Sequence, residues 1–205
     1  MKLLQIFLII ILGANSGSLF SKINPSQKEK TQFKKTAVPK KPEIRQTTEL
    51  HIATRNDDFG KVKELLDQKV FVDPRDESDS TPLMIASALG FYDIAQLLIE
   101  NGADVNARSG TCGCSPILYA SHNDHIELVK LLVSNKANVH EVDFDNDTVL
   151  TSPAKNGYYE IVEYFLENHQ MDVNFRNKDN NSALDLAKRN GHGGIVSLLE
   201  KFGAK

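Results

Sequence analysis

Three small groups of side chains have the residue types for chemistry. Cys112-Gly113-Cys114 holds the only two cysteines of the chain. One intervening residue suits a redox-active Cys-x-Cys pair, or a small disulfide that stiffens a loop. A bridge across one residue is strained and easily reduced. A third option is half of a metal site completed by His122 or His125, which stand three residues apart. Spacing fixes no further ligand, and no thioredoxin-like strand-helix pattern accompanies the cysteines. A local disulfide or idle thiols is therefore the favoured reading, with redox or metal-responsive chemistry at Cys112/Cys114 as the alternative. Glu141, Asp143, Asp145 and Asp147 imitate the start of a calcium loop. Thr148 replaces the required glycine and Ala154 the closing glutamate, which excludes an EF-hand. There is no Gly-x-Ser-x-Gly, His-Glu-x-x-His, phosphate loop or dinucleotide fingerprint. The expectation is no catalytic residue, no bound metal and no cofactor. Asn146-Asp147-Thr148 and Asn180-Asn181-Ser182 match glycosylation sequons.

These residues need a scaffold. Of 205 residues, 40% are hydrophobic and 25% charged, which suits a globular chain. A net charge of −3 argues against a generic nucleic-acid binder, and two cysteines cannot build a disulfide framework. From residue 46 the sequence repeats. Five segments align, beginning at Thr47, Ser80, Ser115, Asp147 and Ser182. Asp57, Gly90, Asp124, Gly157 and Gly191 share one column, spaced 33, 34, 33 and 34 residues apart. Each segment reads as a helix pair. Thr81, Ser115 and Ser182 are N-cap residues for a short inner helix, and Pro82 and Pro116 sit at its first position. Leu83, Ala86 and Leu89 are expected on one face. Ala86, Ala120 and Ala187 are small where helices must approach. Beyond the shared column, an outer helix carries Ile94, Leu97 and Leu98 at i, i+3, i+4 spacing. Val62/Leu65/Leu66, Leu128/Leu131/Leu132, Ile161/Tyr164/Phe165 and Ile195/Leu198/Leu199 repeat that pattern. Gly102 permits the positive φ that ends the helix. A polar finger then leads to the next repeat. No repeat buries its own apolar face, so stacking must supply one continuous core.

Thr81-Pro82-Leu83-Met84-Ile85-Ala86, with Leu50, His51 and Ala53 of the first segment, resembles the T-P-L-H-x-A motif of the ankyrin-repeat family. Asn101-Gly102-Ala103-Asp104-Val105-Asn106 resembles the family's repeat end. The resemblance covers residues 46–205, as repeats of about 46–79, 80–113, 114–146, 147–180 and 181–205. It implies an all-α solenoid with β-hairpin-like fingers, a structural role for His51, and a non-enzymatic module that binds another protein. The partner-binding positions it implies are, on fingers, Glu77, Ser78, Thr111, Cys112, Phe144, Asp145, Lys178 and Asp179. On inner helices they are Ala88, Leu89, His122, Asn123, Lys155, Asn156, Arg189 and Asn190, with Arg55 and Asn56 matching in the first repeat. Phe144, apolar among acids, is the anchor candidate; the alternative is that it tucks against a neighbouring finger. The chain resembles small exported bacterial ankyrin proteins, some of which accompany detoxifying enzymes or neutralise toxins.

Two departures stand out. Pro153 replaces the small alanine of repeat four, so its inner helix is expected to be short, kinked or late-starting. The third finger is one residue longer, since Asp104 to Pro116 spans 12 positions against 11 from Phe71 to Pro82. A second extra residue falls in residues 168–171.

Ahead of the repeats, Lys2, an apolar run at 3–12 and small Ala14 and Ser16 read as a signal peptide over 1–18, cut after Ser16 or Ser18. A retained membrane anchor is the alternative. The protein is expected to be exported, periplasmic or secreted, and monomeric, with no membrane span once the signal is cut. Residues 19–45 hold eight basic residues against two acidic ones and three prolines, and read as a solvated, disordered tether. The repeats then carry 15 basic and 25 acidic residues.

Overall fold

Polar residues in extended backbone open the inner helices. Thr81 Oγ1 accepts from Met84 N at 3.3 Å, and Ser182 Oγ from Asp185 N at 3.2 Å, quenching amides that have no intrahelical partner. Ser115 takes the same backbone conformation but makes no side-chain cap, and its buried hydroxyl has no hydrogen-bond partner. The computed structural model describes residues 46–205; the expected signal peptide and tether lie outside the described residues. Ten helices form five pairs: α1 (Glu49–Arg55) with α2 (Phe59–Asp67), α3 (Pro82–Leu89) with α4 (Tyr92–Glu100), α5 (Pro116–His122) with α6 (Ile126–Ser134), α7 (Thr151–Asn156) with α8 (Tyr159–Asn168), and α9 (Ala183–Arg189) with α10 (Gly193–Lys201). The odd helices pack on one another along the stack, as do the even ones. No strand occurs among the described residues, so the fingers are tight turns rather than ladders.

The core runs through the whole stack. Ala86, Ala120 and Ala187 are fully buried, and so are Val62, Leu98, Leu132, Phe165 and Leu199. Leu97, Leu131 and Tyr164 are half-buried against them. Leu89 departs from expectation: it is 48% exposed. Six residues at about 100° each turn it about 120° away from Leu83, out of the inter-helix seam.

Pro153 acts as expected. Its helix, α7, has six residues and begins at Thr151, placing the proline at the third helical position, where no amide is needed. Thr148 and Thr151 bridge the gap, with Thr148 N donating to Thr151 Oγ1 at 2.7 Å and Thr151 N to Thr148 Oγ1 at 3.2 Å. The extra residue after α8 also shows. That helix ends at His169 in extended backbone, whereas Lys69, Gly102, Lys136 and Gly203 close the other outer helices with positive φ.

Candidate functional site

Each finger is numbered by the repeat it leads into. Fingers 2, 4 and 5 close identically, with an amide donating to the carbonyl four residues on: Asp76 to Ser80, Asp143 to Asp147 and Asn177 to Asn181. The leading side chain caps its own turn. Asp76 Oδ1 accepts from the amides of Ser78 and Ser80, and Asp143 Oδ1 from those of Asp145 and Asp147. Asn177 Oδ1 does the same for Asp179 and Asn181. Of the aspartates that imitate a calcium loop, Asp143 thus builds the turn and Asp147 Oδ1 accepts from Asn177 Nδ2 of the next finger, and among the described residues no three His, Cys, Asp or Glu groups are placed to hold a metal.

Finger 3 carries the predicted extra residue. Ser109 N donates to the Cys114 carbonyl five residues on, and Cys112 and Cys114 are joined as a disulfide, their Cα atoms 5.3 Å apart. Phe144 N donates to Cys112 O at 2.7 Å and Lys178 N to Asp145 O at 2.9 Å, tying fingers 3, 4 and 5 into a row. Arginines stitch the same edge. Arg75 Nη1 donates to Asp79 O and to Arg108 O, and Arg108 Nη2 donates to Val142 O at 2.6 Å. Sequence reasoning passed over this ladder; its only trace is a basic residue immediately before the turn at positions 75, 108 and 176. Deeper in the links, Asn106 donates through Nδ2 to Lys136 O and accepts at Oδ1 from Asn138 N. Asn174 accepts from Lys205 N in the same way.

Three histidines, His51, His125 and His192, bond the backbone through their rings. The amide of Thr48 donates to His51 Nδ1 at 3.2 Å, so Nε2 carries the proton and donates to Ser80 O at 3.0 Å. Burial holds His51 below the usual imidazole pKa. His125 and His192 place Nε2 on the carbonyls of Ala88 and Lys155, each ring lying over a glycine, Gly90 and Gly157, with positive φ. His122 does not join His125. Burial depresses its pKa against the opposing pull of Asp143 and Asp147.

The finger positions Glu77, Ser78, Thr111, Phe144, Asp145, Lys178 and Asp179 are exposed, and so are the helix-end positions Leu89, Asn123, Lys155, Asn156, Arg189 and Asn190. Ala88, Cys112 and His122 are half-buried. Asn123 and Asn190 turn their amides back onto the carbonyls of Tyr119 and Leu186, as helix caps. Arg55 pairs with buried Asp76 and so belongs to finger 2. Lys155, Asp179, Arg189 and Asn190 come together around a groove of about 180 Å³ between the last two fingers and α7 and α9. Phe144 tucks against the neighbouring finger, its ring resting on Gly113, and half of its surface stays exposed.

A stack of five helix pairs with this finger row defines a repeat solenoid of the ankyrin class. The chain belongs to the ankyrin-repeat family: it matches "Ankyrin repeats (3 copies)" over residues 19–109 and 117–205 and "Ankyrin repeats (many copies)" over 86–133. It is 30% identical over 158 residues to the ankyrin repeat protein YahD of Escherichia coli (strain K12), covering 75% of this chain and 78% of that one. An ankyrin repeat protein of fowlpox virus is 32% identical over 157 residues, covering 73% of this chain and 46% of its own length. One from Acanthamoeba polyphaga mimivirus is 29% identical over 152 residues, covering 73% and 20%. This chain thus spans less than half of either viral relative. Ankyrin repeats generally mediate protein-protein interaction and are typically non-enzymatic. No helix among the described residues is long and apolar enough to cross a membrane.

Proposed function

We propose that the chain is an exported scaffold, adaptor or inhibitor that grips a protein partner with its finger tips and inner-helix ends and catalyses nothing. The observation that carries this reading is the groove lined by Lys155, Asp179, Arg189 and Asn190, whose mixed charges suit a polar segment of a partner. Half-exposed Phe144 stands on the same row of fingers as its anchor. The excess of ten acidic over basic residues in the repeats would speed encounter with a basic partner, in a salt-dependent way. The apolar run at 3–12, acting as a signal peptide, would deliver the array outside the cytoplasm.

The test is affinity capture with the exported chain from the source's extracytoplasmic fraction, repeated with Phe144→Ala and with Lys155→Glu/Arg189→Glu. The reading predicts one salt-sensitive protein held by the wild type and released by both variants, with melting temperatures shifted by no more than a few degrees. Retention by both variants would sink it, and intact residues 1–18 on the exported chain would remove the cleaved-signal part.

A further inference from the structure

We propose that the Cys112–Cys114 pair is a thiol-disulfide exchange site, opened by an external dithiol at Cys112, whose oxidation state is transmitted to Phe144. This goes beyond the binding reading and does not depend on the partner.

The two sulfurs are unequal. Cys114 is 5% exposed, whereas Cys112 is only half-buried, which makes Cys112 the residue for an external thiolate to approach. Three donors surround Cys112 Sγ: the Tyr119 hydroxyl at 3.3 Å, the Ser109 hydroxyl at 3.4 Å and the Cys114 amide at 3.2 Å. A disulfide sulfur has no proton, so all three can only donate to it. Tyr119 comes from α5 and Ser109 from the start of the finger, both outside the bridged segment.

The chemistry follows. A thiolate of the incoming dithiol attacks Cys112 Sγ. A new S–S bond forms, the Cys112–Cys114 bond breaks, and its electron pair leaves on Cys114 Sγ, which takes up a proton. The second thiol of the reagent then attacks its own sulfur in the mixed disulfide. Cys112 departs as a thiolate stabilised by the Tyr119, Ser109 and Cys114 donors, and is then protonated. In sum, the protein disulfide gains two electrons and two protons, and the dithiol becomes a cyclic disulfide. A bridge spanning one residue is the labile kind.

Phe144 reports the state of the pair because it touches the residue between the cysteines. Its amide bonds Cys112 O, and its ring occupies the space above Gly113. Opening the ring of atoms through Cys112 and Cys114 frees Gly113 to move and removes the platform under the finger-4 aromatic.

The test uses the full chain in buffers of graded reduced-to-oxidised dithiothreitol, with thiols counted by alkylation and mass shift. Reversible appearance of two thiols with unchanged helical circular dichroism is expected. The chain has no tryptophan, so Phe144→Trp supplies a unique fluorophore. Its emission should follow the same titration, and should stop responding once Cys112 and Cys114 are both serine. Tyr119→Phe keeps the ring and loses one donor, and should slow exchange about three- to tenfold. Cysteines that never pair, or a pair that stays closed in excess reductant, would overturn the proposal. So would Phe144→Trp emission that is flat through the redox cycle, or wild-type exchange rates in Tyr119→Phe. Because alkylation needs no substitution, the exchange step remains testable if the tryptophan variant misfolds.

Discussion

The ring of Phe144 occupies the space that a side chain at position 113 would need. A Cβ on Gly113 would stand 2.5 Å from Cδ1 and 2.6 Å from Cε1 of that ring, on a backbone with φ of +71°. Gly102 makes the controlled comparison, with φ of +89° and nothing within 4 Å of its would-be Cβ. Gly102→Ala should cost only the left-handed backbone term, about 1 kcal/mol. Gly113→Ala should cost about 2 kcal/mol or more, because the aromatic must also move. Urea denaturation of the two variants measures the difference. Equal losses would mean that the Phe144–Gly113 contact carries no energy.

Proline tolerance should differ between two aligned positions. Pro153 lies in the first turn of α7, whereas its counterpart Ala120 is the fifth residue of α5 and fully buried. Pro153→Ala should change stability by less than about 1 kcal/mol. Ala120→Pro should cost about 3 kcal/mol or more, by removing an intrahelical bond and clashing with the preceding turn. Thermal melts of both proteins decide it.

Much of this architecture was legible in the sequence, because a repeat averages the signal. Five aligned copies reveal one column, and departures such as Pro153 or the longer third finger stand out against it. Tertiary bonds specific to one interface stayed hidden. Arg75 reaching Arg108 O, or His125 lying over Gly90, involves partners more than thirty residues away, and no local pattern encodes them. Leu89 failed for a different reason, since a run of leucine and alanine in a short helix does not say where the buried arc ends. The finger and helix-end positions proposed for binding are mostly exposed, but exposure alone does not select among them.

Acid should loosen the stack. Burial holds the folded-state pKa of both His51 and His122 below the ordinary value of 6.5. Below that pH the unfolded chain therefore binds more protons than the folded one. The stability these two residues leave intact above about pH 6.5 is lost progressively as pH falls toward their folded values. The urea midpoint should drop between pH 7.5 and pH 5, and the drop should shrink in His122→Asn. An unchanged midpoint would show that these imidazoles titrate normally in the folded chain.

Asn106 should behave as a rivet between repeats. Its amide bonds Lys136 O at 3.2 Å and accepts Asn138 N at 2.8 Å, both in the next link. Asn106→Ala should cost about 1–2 kcal/mol. Faster hydrogen exchange should appear at the Asn138 amide, while amides in α9 and α10, two repeats away, stay protected, because a solenoid couples nearest neighbours.

Phe144 separates binding from stability. Half of its surface is exposed, and the buried half rests on a glycine rather than in the core. Truncation to alanine should therefore cost about 1 kcal/mol of stability. On a partner's surface the same ring would be buried on its free side, where central aromatics are worth about 2 kcal/mol or more. Phe144→Ala should then weaken partner binding by more than tenfold with a shift in melting temperature of only a few degrees. Calorimetric melts beside binding titrations against the captured partner supply the two numbers. A large fall in melting temperature with unchanged affinity would place Phe144 among the struts of the finger row rather than at its working edge.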